Sequence, residues 1–306
     1  MYFSVIIPTF RRPAKLLGTL ESLFKQTLKE SEFEILVCDN DHPEPNAETK
    51  ALVADLAKKH PNLVYLWEPK PGPAAARNIG IQSARGLVCA FTDDDVIVPP
   101  EWLEKIKEGF EKYPDVVGVG GRMEPPSDWV RSNPVARHEL YMTLEFYNLN
   151  PNTKEFISGK EAPIGATNNI AYKTEALRKV GGFDDAFLPH IYGEEKDLKE
   201  RLIKNGYTKL LYIPTYVIHK RRYDWKSFLS HSFNDGIGTR FYNQQNNIKT
   251  NRFRLLVHLG ISTALLPVRL VYKKDRFLEL MKLIYKYQAT AAQVLPEKMI
   301  IKVELE

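Results

Sequence analysis

The sequence lacks most of the features that mark secreted, membrane-spanning or repetitive proteins. It contains only two cysteines, Cys38 and Cys89, and each stands in an apolar run typical of a strand, which predicts buried free thiols. The N-terminal run MYFSVIIPTF has neither the basic region nor the cleavage site of a signal peptide. The longest apolar run near the C-terminus, residues 255–271, is interrupted by a histidine, a proline and an arginine, and it falls short of the ~20 apolar residues of a spanning helix. We therefore expect a cytoplasmic protein whose 255–271 segment is a core helix or an interfacial one.

The composition is that of a folded globular protein. Hydrophobic residues make up 43%, aromatic residues 11% and charged residues 26% of the chain, which argues against disorder. No internal repeat or low-complexity tract is visible. The 306 residues exceed one average domain without demanding two independent cores.

The net charge of +5 is unevenly distributed along the chain. Residues 219–306 carry 16 Lys and Arg against 7 Asp and Glu, whereas residues 1–218 carry 27 against 31. A basic tail on an acidic body suggests an anionic partner surface, with membrane lipid favoured over nucleic acid. A solvated helix face or a dimer contact explains the same pattern. The basic residues that flank the apolar stretch are Arg252, Arg254, Arg269, Lys273, Lys274 and Arg276.

The first 120 residues alternate between strand-like and helix-like segments, which predicts an α/β fold. Such alternation implies a mainly parallel sheet flanked by helices, with ligands bound outside the carboxyl ends of the strands. Strands are predicted at 3–7, 34–37, 63–67, 87–91 and 116–119, and helices at 13–26, 47–59, 73–84 and 101–112.

The alternation stops at about residue 121. Residues 122–165 contain five prolines and several aromatics, which predicts loops and irregular elements. Order returns with a strand near 169–172, helices near 174–180 and 195–205, and a strand at 209–213. Beyond residue 223 the apolar spacing predicts a helical extension.

Polar side chains follow three of the predicted strands, in the segments 8–12, 39–40 and 93–95. Three consecutive aspartates, Asp93, Asp94 and Asp95, come directly after an apolar strand, where burial is costly unless positive charge neutralises them. A divalent cation that bridges diphosphate oxygens would do so. An acidic cluster before a helix is the competing interpretation.

The segment PGPAAARNIG, residues 71–80, predicts a loop that runs into a helix of small residues. The planar donor fork of Arg77 suits a phosphate. A helix packed tightly on the sheet, with Arg77 on its surface, is the alternative.

Together these blocks resemble family 2 of the glycosyltransferases over residues 3–222. The resemblance rests on SVIIPTF, ILVCDN, PGPAAARNIG, FTDDD, GATNNIAYK, VGGFDDAF and GEEKDLKERLIKNGY in this order. It implies a Rossmann-like GT-A domain over 1–222, with a nucleotide-binding half (1–121) and an acceptor half (122–222). Residues 223–306 would be a helical C-terminal extension that associates with membrane or with a second subunit.

The resemblance also assigns roles to individual residues. Asp39 matches the aspartate that contacts the base, commonly uracil, whereas Asn40 stands where many members have a second aspartate. Asp95 matches the principal ligand of a divalent cation, Mg²⁺ or Mn²⁺, with Asp93 and His219 as further ligands. The nucleotide-binding residues that it implies are Pro8, Thr9, Phe10, Arg12, Asp39, Arg77, Asn78, Asp93 and Asp94.

The expected general base lies in the segment Gly193-Glu194-Glu195. Glu195 takes the position at which the family usually has an aspartate, with Glu194 and Asp197 as rivals; helix N-terminal charge is the plainer reading. Asn168 and Asn169 are expected to contact the donor sugar or the acceptor, unless they stabilise a turn at a strand edge.

The implied reaction is an inverting transfer of a sugar from a nucleoside-diphosphate donor, UDP-linked in many members, to a hydroxyl of a glycan or lipid-linked acceptor. A polysaccharide or glycolipid intermediate would be a typical acceptor. Two other classes stay open: a sugar nucleotidyltransferase, which usually needs glycines where this chain has Pro8–Arg12, and a non-catalytic nucleotide-sugar-binding or scaffold protein. No nucleic-acid partner is expected.

Overall fold

The computed structural model describes residues 1–146, 149, 153–158, 166–187, 192–267 and 276–294. The chain forms two compact units. The first comprises Met1–Ser127, Glu139–Leu188 and Glu194–Arg221, and the second Asp128–His138, Pro189–Gly193 and Arg222–Glu306. The last change of unit, between residues 221 and 222, lies beside the expected boundary at 222, but two short earlier segments also belong to the second unit.

The first unit contains one mixed sheet. Its order is β3-β2-β1-β4-β8-β6-β9-β5, and β7 pairs with β9 at one side. The strands are β1 Phe3–Thr9, β2 Phe33–Asp39, β3 Leu63–Trp67, β4 Val88–Phe91, β5 Val96–Ile97, β6 Gly118–Glu124, β7 Phe156–Ser158, β8 Ile170–Lys173 and β9 Leu210–His219.

The parallel pairing that the sequence predicts is present at one side of this sheet. Strands β3, β2, β1 and β4 are parallel neighbours. Strand β8 then runs antiparallel between β4 and β6, and β9 is parallel to β6 but antiparallel to β5 and β7. The sheet is therefore less uniformly parallel than expected, because β5, β7 and β8 are antiparallel to the strands they pair with.

Helices lie between and after the strands. Pro13 and Pro73 stand in the first turns of α1 and α3, where a missing N–H leaves no helical bond unmade. The helices are α1 Pro13–Leu23, α2 Ala47–Leu56, α3 Pro73–Ser83, α4 Trp102–Lys112, α5 Ser127–Ser132, α6 Pro134–Phe146, α7 Thr174–Lys179, α8 Glu194–Lys204, α9 Trp225–Gln245, α10 Arg252–Ala264 and α11 Arg276–Val294.

The central strand β1 is buried on both faces. Val5 and Ile7 belong to one apolar cluster with Leu16 of α1, and Ile6 belongs to a second cluster on the opposite face. Helix α3 lies close to this second face, because a Cβ on Gly80 would come within 2.6 Å of Ile6 Cγ2. This close approach positions the N-terminal turns of α3 at the carboxyl edge of the sheet.

The prediction of irregular structure over 122–165 is wrong for its first half. Helices α5 and α6 occupy most of residues 127–146. The prolines of this stretch mark helix starts, since Pro134 is the first residue of α6 and Pro125 and Pro126 precede α5. Residues 147–148, 150–152 and 159–165 of this stretch lie outside the described residues.

The described part of the C-terminal extension is helical and consists of α9, α10 and α11. Helix α9 begins with a capped turn, because the Asp224 side chain accepts a hydrogen bond from Ser227 N. Residues 268–275 and 295–306, with Arg269, Lys273 and Lys274, lie outside the described residues. Among the helices that the structure describes, none is long and apolar enough to cross a membrane.

Candidate active site

Most of the predicted site residues converge at one edge of the sheet. Thr9 ends β1, the aspartate triplet Asp93–Asp95 lies between β4 and β5, and His219 ends β9. Parallel neighbours β1 and β4 present their carboxyl ends together, and β9 reaches the same place because His219 pairs with Val96. The topology thus brings together groups that are more than 200 residues apart in the chain.

Each aspartate of the triplet has its own cationic partner. Asp94 and Asp95 are 0% and 6% exposed, so their charges need compensation within the protein. Arg77 contacts Asp93, Arg12 contacts Asp94, and Lys15 contacts Asp95. The prediction that something positive must neutralise the triplet is thus met, in this structure, by side chains.

Asp94 is the most deeply buried of the three carboxylates. Thr9 Oγ1 donates to its Oδ2 at 2.7 Å, and Arg12 Nη2 lies 2.8 Å from its Oδ1. Burial raises the pKa of Asp94 to about 6, against the lowering effects of Arg12 and Thr9 and with a contribution from the neighbouring aspartates. Asp94 is thus the member of the triplet whose negative charge the site tolerates least.

Asp95 has the opposite tendency. His219 Nε2 lies 3.0 Å from its Oδ1, Lys15 Nζ donates to Oδ2 at 2.9 Å, and Arg12 donates at 3.4 Å. Burial alone would raise the pKa of Asp95, but the hydrogen bond and charge of His219, with Lys15 and Arg12, hold it below its ordinary value. Asp95 is therefore a stable anion and the carboxylate best suited to hold a cation.

Asp95 and His219 fit a divalent cation that is shared with a diphosphate. A carboxylate oxygen and an imidazole nitrogen 3.0 Å apart are a donor set that suits Mn²⁺, and the carboxylate also suits Mg²⁺. In the part of the chain that the structure describes, no three His, Cys, Asp or Glu side chains form a metal-holding cluster. Such a cation would thus need ligands from the substrate, as is usual for Mg²⁺ bound by one or two carboxylates plus phosphates.

Arg77 connects the triplet to helix α8. It is 5% exposed, and its Nη1 donates to Glu194 Oε1 at 3.0 Å while its Nη2 donates to Asp93 Oδ1 at 3.4 Å. Its guanidinium also lies 5.5 Å from the ring centre of Phe183. Burial would lower the pKa of Arg77, but Asp93, Glu194 and Glu195 together raise it. Arg77 is thus a buried ion-pairing residue and not a surface one.

The three candidate bases on α8 differ in their partners. Glu194 is paired with Arg77, and Asp197 is paired with Arg201, which also donates to the carbonyls of Val180 and Gly182. Both carboxylates are therefore held by guanidinium groups.

Glu195 accepts its hydrogen bonds from a neutral residue, although its charge also interacts with Arg77 and Lys199. Its Oε1 accepts from Thr167 N at 2.8 Å and from Thr167 Oγ1 at 2.5 Å. This hydrogen bonding distinguishes Glu195 from Glu194 and Asp197, and the choice among the three as the base stays a prediction. Thr167 was not singled out in the sequence, although it lies within the block GATNNIAYK on which the family resemblance rests.

Asp39, expected to contact the base, is engaged within the protein. Its side chain is 0% exposed and accepts hydrogen bonds from Tyr65 OH at 2.5 Å, Asn46 N at 2.8 Å and Asp41 N at 3.1 Å. The neighbouring amide of Asn40 is likewise used by backbone groups. These two side chains thus shape the loop after β2, and the expected contact of Asp39 with the base stays a prediction.

Of the other residues expected to line the nucleotide pocket, Phe10 is accessible and Pro8 is not. Pro8 lies buried within β1, whereas Phe10 is 41% exposed and stacks on His42 with ring centres 5.6 Å apart. The guanidinium of Arg11 also lies over the Phe10 ring, 4.9 Å from its centre. A flat, exposed aromatic surface is a natural platform for a base.

Three asparagines with expected binding roles make contacts within the protein. Asn78 exchanges two 2.8 Å hydrogen bonds with the backbone of Phe183, and Asn169, 0% exposed, bonds to Trp102 and to the Arg122 carbonyl. Asn168 differs, since its Nδ2 contacts Met123 Sδ while its buried Oδ1 has no hydrogen-bond partner. Only Asn168 thus retains a polar atom that a sugar hydroxyl could satisfy.

Lys15 is the site residue that sequence reasoning missed with a usable pattern present. It follows Arg11 and Arg12 in the first turn of α1, so three cations precede or open the helix that starts at the site. That spacing places Lys15 on the same side of the turn as Arg12.

Comparison with known proteins gives a consistent result. Residues 4–181 match the sequence model described as Glycosyl transferase family 2. A curated relative, the glucosyl-dolichyl phosphate glucuronosyltransferase of Haloferax volcanii, is 29% identical over 188 residues, 60% of this chain and 56% of that protein. The chain therefore spans little more than half the length of this relative.

Solved structures share the fold. The mannosyltransferase PcManGT from Pyrobaculum calidifontis, in complex with GDP-Man and Mn²⁺, is 17% identical with a TM-score of 0.64, over 96% of this chain and 87% of that one. TarS of S. aureus in complex with UDP is 16% identical with a TM-score of 0.57, over 96% and 90%. The predicted GT-A fold is confirmed.

Proposed function

Because the chain belongs to glycosyl transferase family 2 and is a glycosyltransferase enzyme, we propose that it moves a sugar from a UDP-linked donor to an acceptor hydroxyl with inversion. The acceptor is a glycan or a lipid-linked intermediate. The name of the Haloferax relative, which acts on a dolichyl phosphate sugar, supports a lipid-linked acceptor. The complex of TarS with UDP supports the uridine nucleotide, although PcManGT was solved with GDP-Man.

The observation that carries this proposal is the bridge that Arg77 makes. One guanidinium contacts both Asp93, next to the cation-binding carboxylate, and Glu194, next to the expected base. The two halves of a displacement reaction, a leaving-group site and a proton acceptor, are thereby held on either side of one buried side chain.

The leaving diphosphate is bound by cationic side chains. Arg12 and Lys15, 45% and 40% exposed in their side chains, now contact Asp94 and Asp95 and are long enough to exchange these partners for phosphate oxygens. A divalent cation held by Asp95 and His219 would stabilise the negative charge that develops on the diphosphate. Arg77 adds a fixed positive charge that needs no reorganisation during the reaction.

The acceptor hydroxyl loses its proton to Glu195. Thr167 fixes Oε1 of this carboxylate with two hydrogen bonds, so Oε2 is the oxygen that accepts the proton. The acceptor oxygen then attacks the anomeric carbon on the face opposite the diphosphate. With one base and no covalent sugar–enzyme intermediate, an α-linked donor yields a β-linked product.

The exposed stack of Phe10 on His42 is a proposed contact for the base. Sugar hydroxyls are proposed to reach the unpartnered Oδ1 of Asn168. The basic C-terminal residues support action at an anionic membrane surface on the cytoplasmic side, in polysaccharide or glycolipid assembly.

Thermal unfolding with a panel of nucleoside diphosphates tests the donor site. The melting temperature is measured with UDP, GDP or ADP in Mn²⁺, Mg²⁺ or chelator, since ligand that binds only the folded state stabilises by about 2.7 kcal/mol at a hundred times its Kd. We expect the largest shift with UDP and a metal, and loss of the metal-dependent part in Asp95→Asn. A shift with GDP alone would mean that the donor carries guanosine and not uridine. Absence of a metal-dependent shift with every nucleotide would reject the proposed site.

A further inference from the structure

Helix α10 has no buried residue along its whole length. Its 13 residues, Arg252–Ala264, are half-buried or exposed, although eight of the thirteen letters in RFRLLVHLGISTA are apolar or glycine. A helix with this composition normally lies in a core. In the part of the chain that the structure describes, its apolar outer side therefore stays exposed.

The two sides of α10 have different surroundings. One side lies against α11: Leu255 and Leu259 are half-buried, and Lys286 donates to Ser262 Oγ at 3.4 Å. The opposite side carries large apolar side chains in the open. On this outer face, at the 3.6-residue spacing of a helix, Phe253 is 76%, Leu256 52%, Val257 41% and Ile261 51% exposed.

The charged residues in the sequence around α10 are all of one sign. Residues 236–274 contain seven Lys or Arg and no Asp or Glu. Arg252 and Arg254 stand in the first turn of α10 itself, exposed beside Phe253. An apolar face with a basic rim is complementary to a surface that is apolar inside and anionic outside, which describes a bilayer containing acidic lipids.

We propose that the outer face of α10 (Phe253, Leu256, Val257 and Ile261) docks the protein onto an anionic lipid bilayer. The helix lies in the plane of the interface, since 13 residues extend only about 20 Å and cannot cross a hydrocarbon core of about 30 Å. Arg252 and Arg254 contact lipid phosphates while the four apolar side chains enter the acyl boundary.

A second copy of the chain fits this face less well. In a two-fold contact the same patch meets itself, so the basic rim would face a basic rim with no acidic residue between 236 and 274 to compensate it. A lipid surface supplies the missing negative charge. This docking does not depend on the transfer reaction proposed above.

Vesicle binding by the full chain, without nucleotide, tests the proposal. Sedimentation is measured with phosphatidylcholine vesicles that contain about 30% phosphatidylglycerol, which gives a negative surface potential. The controls are vesicles of phosphatidylcholine alone and the anionic vesicles with added salt. We expect binding to the anionic vesicles that weakens with salt, and a loss of about tenfold or more in Phe253→Ser/Leu256→Ser. The matched control is Leu87→Ser, which removes a leucine that is 68% exposed in the first unit and leaves binding unchanged.

A second measurement reports insertion directly. Phe253→Trp is titrated with vesicles that carry brominated acyl chains, and its fluorescence is compared with that of the wild type. Quenching of the added tryptophan supports insertion of the outer face. Vesicle binding without that quenching, equal binding to neutral and anionic vesicles, or a Phe253-dependent dimer in sedimentation equilibrium with no lipid binding would each overturn the proposal, whatever the transfer activity proves to be.

Discussion

Thr167 donates two hydrogen bonds to a single carboxylate oxygen of Glu195, one from its backbone N–H at 2.8 Å and one from its hydroxyl at 2.5 Å. A group that receives both bonds at one oxygen is fixed in orientation with its second oxygen directed away. Thr167 therefore acts as a positioning residue for the proposed base. Substitutions of Thr167 can thus test the proposed role of Glu195.

Replacing the hydroxyl of Thr167 should lower turnover without weakening donor binding. In Thr167→Val the backbone bond remains but the hydroxyl bond, worth about 1.5–3 kcal/mol when the acceptor is charged, is lost. We expect kcat to fall by about tenfold or more while the KM for the donor stays unchanged, and Thr167→Ser to restore most of the rate. If Thr167→Ser were as slow as Thr167→Val, the hydroxyl bond would not account for the loss of rate, and the positioning role of Thr167 would be contradicted.

Glu195→Gln should lower the rate of sugar transfer much more than the amide substitution of a neighbouring carboxylate does. Removing a general base typically costs about 10²–10⁴ in rate, whereas UDP binding, followed by calorimetry, should persist. Asp197→Asn is the matched control on the same helix, because its carboxylate pairs with Arg201 and its loss should affect mainly the melting temperature. A fully active Glu195→Gln enzyme would move the base to another residue.

The buried charge of Asp94 predicts how stability depends on pH. Its pKa is raised from 3.8 to about 6 in the folded protein, so between these values the folded protein holds a proton that the unfolded chain has released. Stability from this group is fully present below about pH 4 and is lost as the pH rises through about 6, by an amount on the order of 3 kcal/mol.

Urea unfolding of the wild type and of Asp94→Asn between about pH 4 and 7.5 checks this sign. The free energy of unfolding of Asp94→Asn, relative to wild type, should rise across that window and level off above about pH 6. Asp55→Asn, at an exposed pair with Lys58, serves as the control and should show no such rise. An unchanged difference for Asp94→Asn would mean that Arg12 keeps Asp94 ionised throughout.

Arg77→Met should destabilise the protein as well as inactivate it. It leaves Asp93 and the largely buried Glu194 without their shared cation, and breaking a buried pair in this way costs about 3–5 kcal/mol. Arg131→Met is the matched control, because Arg131 and its partner Asp128 are 79% and 90% exposed in their side chains and exposed pairs contribute about 0–1 kcal/mol. Equal melting temperatures for the two variants would contradict the buried bridge.

The sequence was sufficient for those parts of the fold in which periodicity and burial agree. Strands such as β1 and β3 and helices such as α1 and α3 lie where their apolar spacing predicts them, because their apolar side chains pack into the clusters on the two faces of the sheet. The helices between residues 127 and 146 were missed. A proline that precedes or opens a helix cannot be distinguished by sequence alone from a proline within a loop.

For the site, motif order predicted which residues converge but not what their side chains contact. The aspartate triplet and His219 do meet at the sheet edge. The side chains of Asp39, Asn78 and Asn169 form hydrogen bonds with other residues of the protein. Lys15 and Thr167 were absent from the expectation, because their contacts depend on partners 80 and 28 residues away. The spacing of Arg12 and Lys15 could have been used for Lys15, whereas the pairing of Thr167 with Glu195 leaves no local pattern.

The configuration of the released sugar tests the central claim, direct displacement with Glu195 as the only base. An α-linked sugar of the nucleotide identified by thermal unfolding is incubated with the enzyme and a hydroxyl acceptor, or with water alone. The first-formed anomer is assigned by proton NMR before mutarotation. The account predicts a β-configured product from an α-linked donor, formed by the wild type and lost in Glu195→Gln. An α-configured product from the same donor would contradict it.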